Sequence, residues 1–197
     1  METYPAPDWD ISEGRTLFFR RLLQIKKNSH PLEHQSSLVT KQLSKMSQNA
    51  TATCFCGTVQ LELPVAGPDM ISSFVCHCSD CRKITASMFA SNFIVNNSAL
   101  KHLKGEDKLS QYSRSDTIAS GNTMTNYFCS NCGTLMYRRS SGWPGKSVTR
   151  IGTVDDFELH ETKLMPQVEQ FCKDRVAWIK GVDGVAETDQ KQYPFKV

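Results

Sequence analysis

Phe128-Cys129-Ser130-Asn131-Cys132-Gly133-Thr134 sets two thiols three positions apart and closes them with glycine. A second short stretch, Cys54-Phe55-Cys56-Gly57, does the same at a spacing of two. In a tetrahedral zinc–thiolate site the sulfurs lie roughly 3.8 Å apart, given a Zn–S bond of about 2.3 Å. A C-x-x-C turn brings two sulfurs that close. A C-x-C pair also can, because residues i and i+2 of an extended chain point the same way. The glycines allow the tight backbone such a turn needs. Together Cys54, Cys56, Cys129 and Cys132 supply four thiolates, enough for a closed structural site. The long segment between Cys56 and Cys129 then becomes one loop fixed at its base by metal.

That loop carries a third cluster, Cys76-His77-Cys78-Ser79-Asp80-Cys81. If the paired half-sites satisfy one zinc, Cys76, Cys78 and Cys81 leave a second zinc with three protein thiolates. Three protein ligands with an exchangeable fourth is the pattern of a catalytic zinc, whereas structural sites are closed. The competing reading is a closed site completed by His77, Asp80 or Cys172. His77 sits between two ligands, so its side chain is expected to point away. Cys172 ends a strand pattern and reads as a small buried apolar residue.

The rest of the composition narrows the function classes. The 197 residues suit one domain plus an extension. The net charge of +3, from 23 basic and 20 acidic residues, is too balanced for a nucleic-acid footprint. No apolar run reaches the length of a membrane span; Leu17-Phe18-Phe19 is cut short by Arg20 and Arg21. The acidic, proline-containing start does not read as a secretory signal, and Glu2, Asp8, Asp10 and Glu13 argue against a mitochondrial presequence. A cytoplasmic location is expected. In such a reducing compartment, clustered cysteines are metal ligands rather than disulfides.

Residues 1–45 hold no cysteine and read as an N-terminal extension, with an amphipathic helix predicted over 11–27 from Ile11, Phe18, Leu22 and Ile25. Residues 28–52 are polar and read as a linker. Met46 would make a natural start for the cysteine-bearing domain, 46–197. From Thr53 onward the pattern is mainly β. Residues 58–64 alternate Val59, Leu61 and Leu63 with polar neighbours. Further strands are predicted over 73–76, 92–95, 109–113, 125–129, 134–139, 147–154 and 167–172. Short helices are predicted over 82–89 and near 175–179.

With the cysteines placed, the motifs CFCG (54–57), CHCSDCRK (76–83), FCSNCGT (128–134), GTVDD (152–156) and RVAWI (175–179) resemble, in order and spacing, the glutathione-dependent formaldehyde-activating enzyme family, which also includes centromere protein V. The resemblance covers roughly residues 50–187. It implies an Mss4-like fold, a zinc-stapled β-sheet domain with few short helices. It also implies structural zinc ligands at Cys54, Cys56, Cys129 and Cys132 and catalytic ones at Cys76, Cys78 and Cys81, two zincs per chain. Family members with an activity add glutathione to formaldehyde, as S-(hydroxymethyl)glutathione synthases of the carbon–sulfur lyase class. One departure stands out: the family's Ser-Gly pair after the triplet is Thr85-Ala86 here, and loss of that glycine is expected to reshape the pocket floor.

Thiol addition to an aldehyde needs a nucleophilic sulfur and an electrophilic carbon held close, and an open zinc position can serve either one. Glutathione carries two carboxylates, so a basic rim is expected, with Arg82 and Lys83 as its binding residues and Arg138, Arg139 and Arg175 nearby. Trp178 is a candidate pocket wall or a core residue. Two readings follow: an enzyme acting on thiol–carbonyl adducts of glutathione or another small thiol, or a non-catalytic zinc module binding protein, chromatin or cytoskeletal partners. The triplet favours the enzyme, since a scaffold needs only the four structural ligands.

Overall fold

The computed structural model describes residues 48–118 and 120–189. The helix predicted over 11–27 and most of the predicted linker lie outside the described residues. Among the described residues eleven strands form two sheets. The smaller sheet joins β1 (Asn49–Thr53), β2 (Gln60–Pro64) and β5 (Lys101–Lys104) in the order β1-β2-β5. The larger one contains β3 (Met70–Cys76), β4 (Ala90–Asn96), β6 (Leu109–Arg114), β7 (Met124–Cys129), β8 (Leu135–Ser140), β9 (Lys146–Arg150), β10 (Val168–Gln170) and β11 (Ala186–Thr188). Its order is β11-β10-β3-β4-β9-β8-β7-β6. Pairing is antiparallel except around β10, which runs parallel to β3 and β11.

Period-2 alternation divides the larger sheet's residues between its two faces. Phe93, Val95 and Tyr137 bury on one face with Ala52, Leu61 and Leu63 of the smaller sheet, alongside Ile151, Val154 and Leu164. Each large side chain buried there contributes about 1.5–3 kcal/mol. The opposite face carries a second apolar cluster of Phe74, Cys76, Ala90, Ile94, Val148 and Val168, and Cys81 packs onto it. Cys81 belongs to α1 (Ser79–Thr85), the one α-helix among the described residues.

The mainly β fold agrees with the alternation in the sequence, with several corrections. Asn49–Thr53 is a strand, although it falls in the predicted linker; its small polar residues are ordered by pairing with β2. β9 stops at Arg150, because Ile151–Thr153 turns into a 3-10 segment. The predicted 82–89 helix begins earlier, at Ser79, and ends at Thr85. Residues 175–179 are turn rather than helix, and Trp178 is 74% exposed, neither core nor wall of the cavities described below. β5 and β11 were not predicted.

Candidate metal centres and the cavity beside them

The two half-sites meet. Cys54 and Cys56 lie just after β1, Cys129 ends β7, and Cys132 follows in the turn. Their four sulfurs lie within 4.8 Å of one another. Cys54 and Cys56 are 3.6 Å apart, and Cys56 and Cys129 are 3.8 Å apart. These separations fit the tetrahedral edge of a zinc–thiolate site. Each half-site is a tight turn: the Gly57 N–H donates to the Cys54 carbonyl and the Gly133 N–H to the Cys129 carbonyl. Both glycines sit at positive φ, 73° and 75°, where other residues are strained.

Donors already point at these sulfurs. The Val59 N–H donates to Cys54 Sγ at 3.2 Å, and Asn131 Nδ2 to Cys56 Sγ at 3.2 Å. Thr58 and Asn131, in that order, draw the Cys56 thiol down to about 5. Thr134 lowers Cys132, while burial pushes Cys129 up to about 11.

The second cluster is built at the end of β3. Cys76 is the last residue of that strand, and Cys78 caps α1, its sulfur accepting from the Cys81 N–H at 3.4 Å. The three sulfurs lie within 4.8 Å of one another, with Cys76 and Cys81 buried. Among the described residues no further His, Cys, Asp or Glu joins them. None of the three candidates for a fourth ligand places a donor atom in this group. His77 is buried with its Nε2 on Glu169 Oε1 at 2.5 Å. Asp80 Oδ2 accepts from the Thr117 hydroxyl at 2.9 Å. Cys172 donates to the Glu169 carbonyl at 3.3 Å, half-buried rather than in the core.

The triplet faces a cavity of about 410 Å³. Phe74, Asn92, Val148 and Arg138 line it from the sheet, Met124, Thr117, Ile118 and Ser120 from one side, and Gln170, Phe171, Lys173 and Asp174 from the other. Phe171 holds φ at 57°, a conformation that bulky residues rarely adopt. A smaller cavity of about 160 Å³ shares Asp80, Ile118, Met124 and Arg138 with it and adds Lys83, Tyr112 and Arg114.

Two arginines missed in the sequence pattern as a pair lie beneath the triplet. Arg138 on β8 is 7% exposed and Arg150 on β9 is 6% exposed. Arg138 is the cross-strand partner of Val148, so it and Arg150 are diagonal neighbours on the site face. Arg138 Nη1 lies 3.8 Å from Cys81 Sγ, and Arg150 Nη1 donates to Asn92 Oδ1. Bonds from Cys76 and Cys78, and then the charges of Arg150 and Arg138, hold the Cys81 thiol well below the usual thiol range. The same sharing of protons pushes Cys76 up, through Cys78 first and Cys81 next. Burial lowers Arg150 to about 10, which leaves it a cation at neutral pH.

The expected substrate-binding cations are distributed differently. Arg82 Nη1 bonds the Asp174 carbonyl at 3.4 Å and tethers the cavity wall. Lys83 is exposed and lines the smaller cavity. Arg139 lies over the rings of Tyr127 and Tyr137 on the other face of the sheet. Arg175 bonds Glu169 and Glu187.

The sequence profile of the glutathione-dependent formaldehyde-activating enzyme family matches residues 49–174, which include all seven clustered cysteines. The chain belongs to this family. At the Thr85-Ala86 pair, Ala86 takes the left-handed conformation at φ 49° that closes α1. No curated protein matches the chain. A crystal structure of a Rhodobacter sphaeroides protein matches with a TM-score of 0.41 at 22% identity, covering 54% of this chain and 88% of that one. No helix of the described residues is long and apolar enough to cross a membrane.

Proposed function

We propose that the protein is a zinc-dependent carbon–sulfur lyase-type enzyme that adds a thiol, glutathione or a close analogue, to formaldehyde or another small carbonyl, and reverses that addition. The observation that carries this reading is the Cys76/Cys78/Cys81 triplet, three sulfurs within ligand distance of one metal, opening onto a 410 Å³ cavity. Family membership adds glutathione and formaldehyde as the reactant class. In this reading Cys54, Cys56, Cys129 and Cys132 hold a structural zinc and the triplet holds a catalytic one.

In the forward direction a sulfur lone pair forms the C–S bond, the carbonyl π bond breaks with its electron pair moving onto the oxygen, and the proton lost from the thiol ends on that oxygen as a hydroxyl. Zinc at the triplet would supply positive charge that favours thiolate over thiol or polarises a carbonyl. The chain's own groups do the rest. Arg138, beside Cys81, stabilises negative charge developing over the cavity floor. Lys173 on the wall and Lys83 across the shared boundary present ammonium groups for substrate carboxylates. Arg82 keeps the Asp174 wall in place. Phe74, Val148 and Phe171 give the cavity an apolar lining that limits water.

Exchange spectroscopy by NMR reads both directions between glutathione and its hemithioacetal without a coupled enzyme. Zinc-loaded protein is expected to speed that exchange, Cys78→Ser to abolish the acceleration, and Lys173→Ala to weaken thiol binding. No acceleration with any small aldehyde, together with no glutathione binding by calorimetry, would sink the reading.

A further inference from the structure

Two buried guanidiniums side by side are costly unless anions face them. Arg138 and Arg150 occupy adjacent strands at 7% and 6% exposure. Among the described residues neither forms a salt bridge with a carboxylate. Three of their nitrogens, Arg138 Nε, Arg150 Nε and Arg150 Nη2, are buried without a hydrogen-bond partner. Their near neighbours are the Cys81 sulfur, which Arg138 Nη1 approaches at 3.8 Å, and Asn92, whose oxygen accepts from Arg150. The arrangement fits an anionic centre on this face, and the triplet as thiolates is one.

The charge balance then says more. Three thiolates against one divalent cation leave a single negative charge, and a centre of that sign repels a further anion. The two guanidiniums turn it into a single positive charge. We propose that Arg138 and Arg150 are positioning residues that make the open coordination position of the triplet selective for a monoanionic ligand, a thiolate above all, over a neutral one. The inference rests on the reading of the triplet as a metal site and deepens it. It accounts for why the two arginines are buried beside the cluster rather than exposed at the surface.

Cobalt(II) in place of zinc gives thiolate-dependent absorption, so ligand binding can be read without activity. The cobalt-loaded protein would be titrated with thiocyanate, a monoanion, and with imidazole, a neutral ligand, following the visible bands of the triplet site. The wild type is expected to bind thiocyanate more tightly than imidazole. Arg138→Met should lower thiocyanate affinity roughly 10- to 100-fold, the size expected from removing a unit charge a few ångströms away in a partly buried site. Imidazole affinity should change little or rise. Arg138→Lys should restore much of the anion preference. Arg150→Met should act in the same direction where it folds; Arg138→Met, which leaves the Arg150–Asn92 bond in place, decides the matter where it does not. Equal losses for both ligands, or no loss for thiocyanate, would overturn the inference while cobalt at the triplet left the metal site standing. Cobalt at the four-cysteine site alone would overturn both.

Discussion

Glu169 and His77 form a hydrogen-bonded pair at 1% exposure each, directly behind the triplet, joining β10 to the end of β3. Glu169 Oε2 also accepts from the Val182 N–H at 3.2 Å and from Arg175 at 3.1 Å. Burial alone would raise its pKa, but the bonds from His77, Val182 and Arg175 outweigh it and hold the carboxyl below its ordinary value of 4.5. A carboxylate depressed in the folded state stabilises the fold above its unfolded pKa and loses that contribution as pH falls through the folded one. Glu169→Gln should therefore cost about 1–3 kcal/mol at pH 7. It should also flatten the dependence of Tm on pH below 4.5. Thermal melts between pH 7 and pH 3 would check both.

Ala86 closes α1 at φ 49°, with its N–H on the Lys83 carbonyl and the Ser87 N–H on that of Arg82. A β-carbon in the left-handed region costs about 1–2 kcal/mol. Ala86→Gly should raise stability by about 1 kcal/mol, net of glycine's greater loss of chain entropy. The metal content should not change. A lowered Tm would show that the alanine side chain makes contacts that offset its strain.

The cysteine framework was legible because ligand spacing is a local property. C-x-C, C-x-x-C and the glycines after them dictate which sulfurs can converge whatever the surrounding fold. The strands whose apolar residues alternate, such as Leu61 and Leu63 in β2, were legible for the same reason. β1 was not, since the apolar residues that alternate in Asn49–Thr53 are only the small Ala50 and Ala52, set in a polar stretch and ordered by the partner strand. The Arg138–Arg150 pair was hidden too. Arg150 shares parity with Val148, but only the registers of β9 with β4 and β8 bring it beneath Cys81. Arg82 and Lys83 follow the triplet in sequence, yet α1 turns Lys83 toward the smaller cavity.

Phe171 lines the cavity at φ 57°, and such a conformation costs of order 1–3 kcal/mol. Phe171→Gly removes that strain and a cavity wall together. Tm should change little, while glutathione should bind about 10-fold more weakly, the scale of one lost aromatic contact. Calorimetry against Tm separates the two effects. Unchanged affinity would place the thiol ligand elsewhere in the cavity.

Cys56 and Cys129 are 73 positions apart in sequence and 3.8 Å apart at their sulfurs. Metal held there would join the turn after β1 to the end of β7, so its binding energy, about 10–16 kcal/mol in zinc-finger peptides, would become folding energy. Cys129→Ser should give insoluble or unfolded protein, read by circular dichroism and sedimentation. A folded Cys129→Ser protein with an unchanged Tm would show that the four-cysteine cluster is not the staple of the domain.

Metal content of the wild type beside that of Cys78→Ser tests most directly that the triplet is a separate, open metal site. Cys78 contributes to no other cluster, and the four-cysteine site does not depend on it. Elemental analysis is predicted to give close to two zincs per chain for the wild type and close to one for a folded Cys78→Ser protein. One zinc in both would contradict the account.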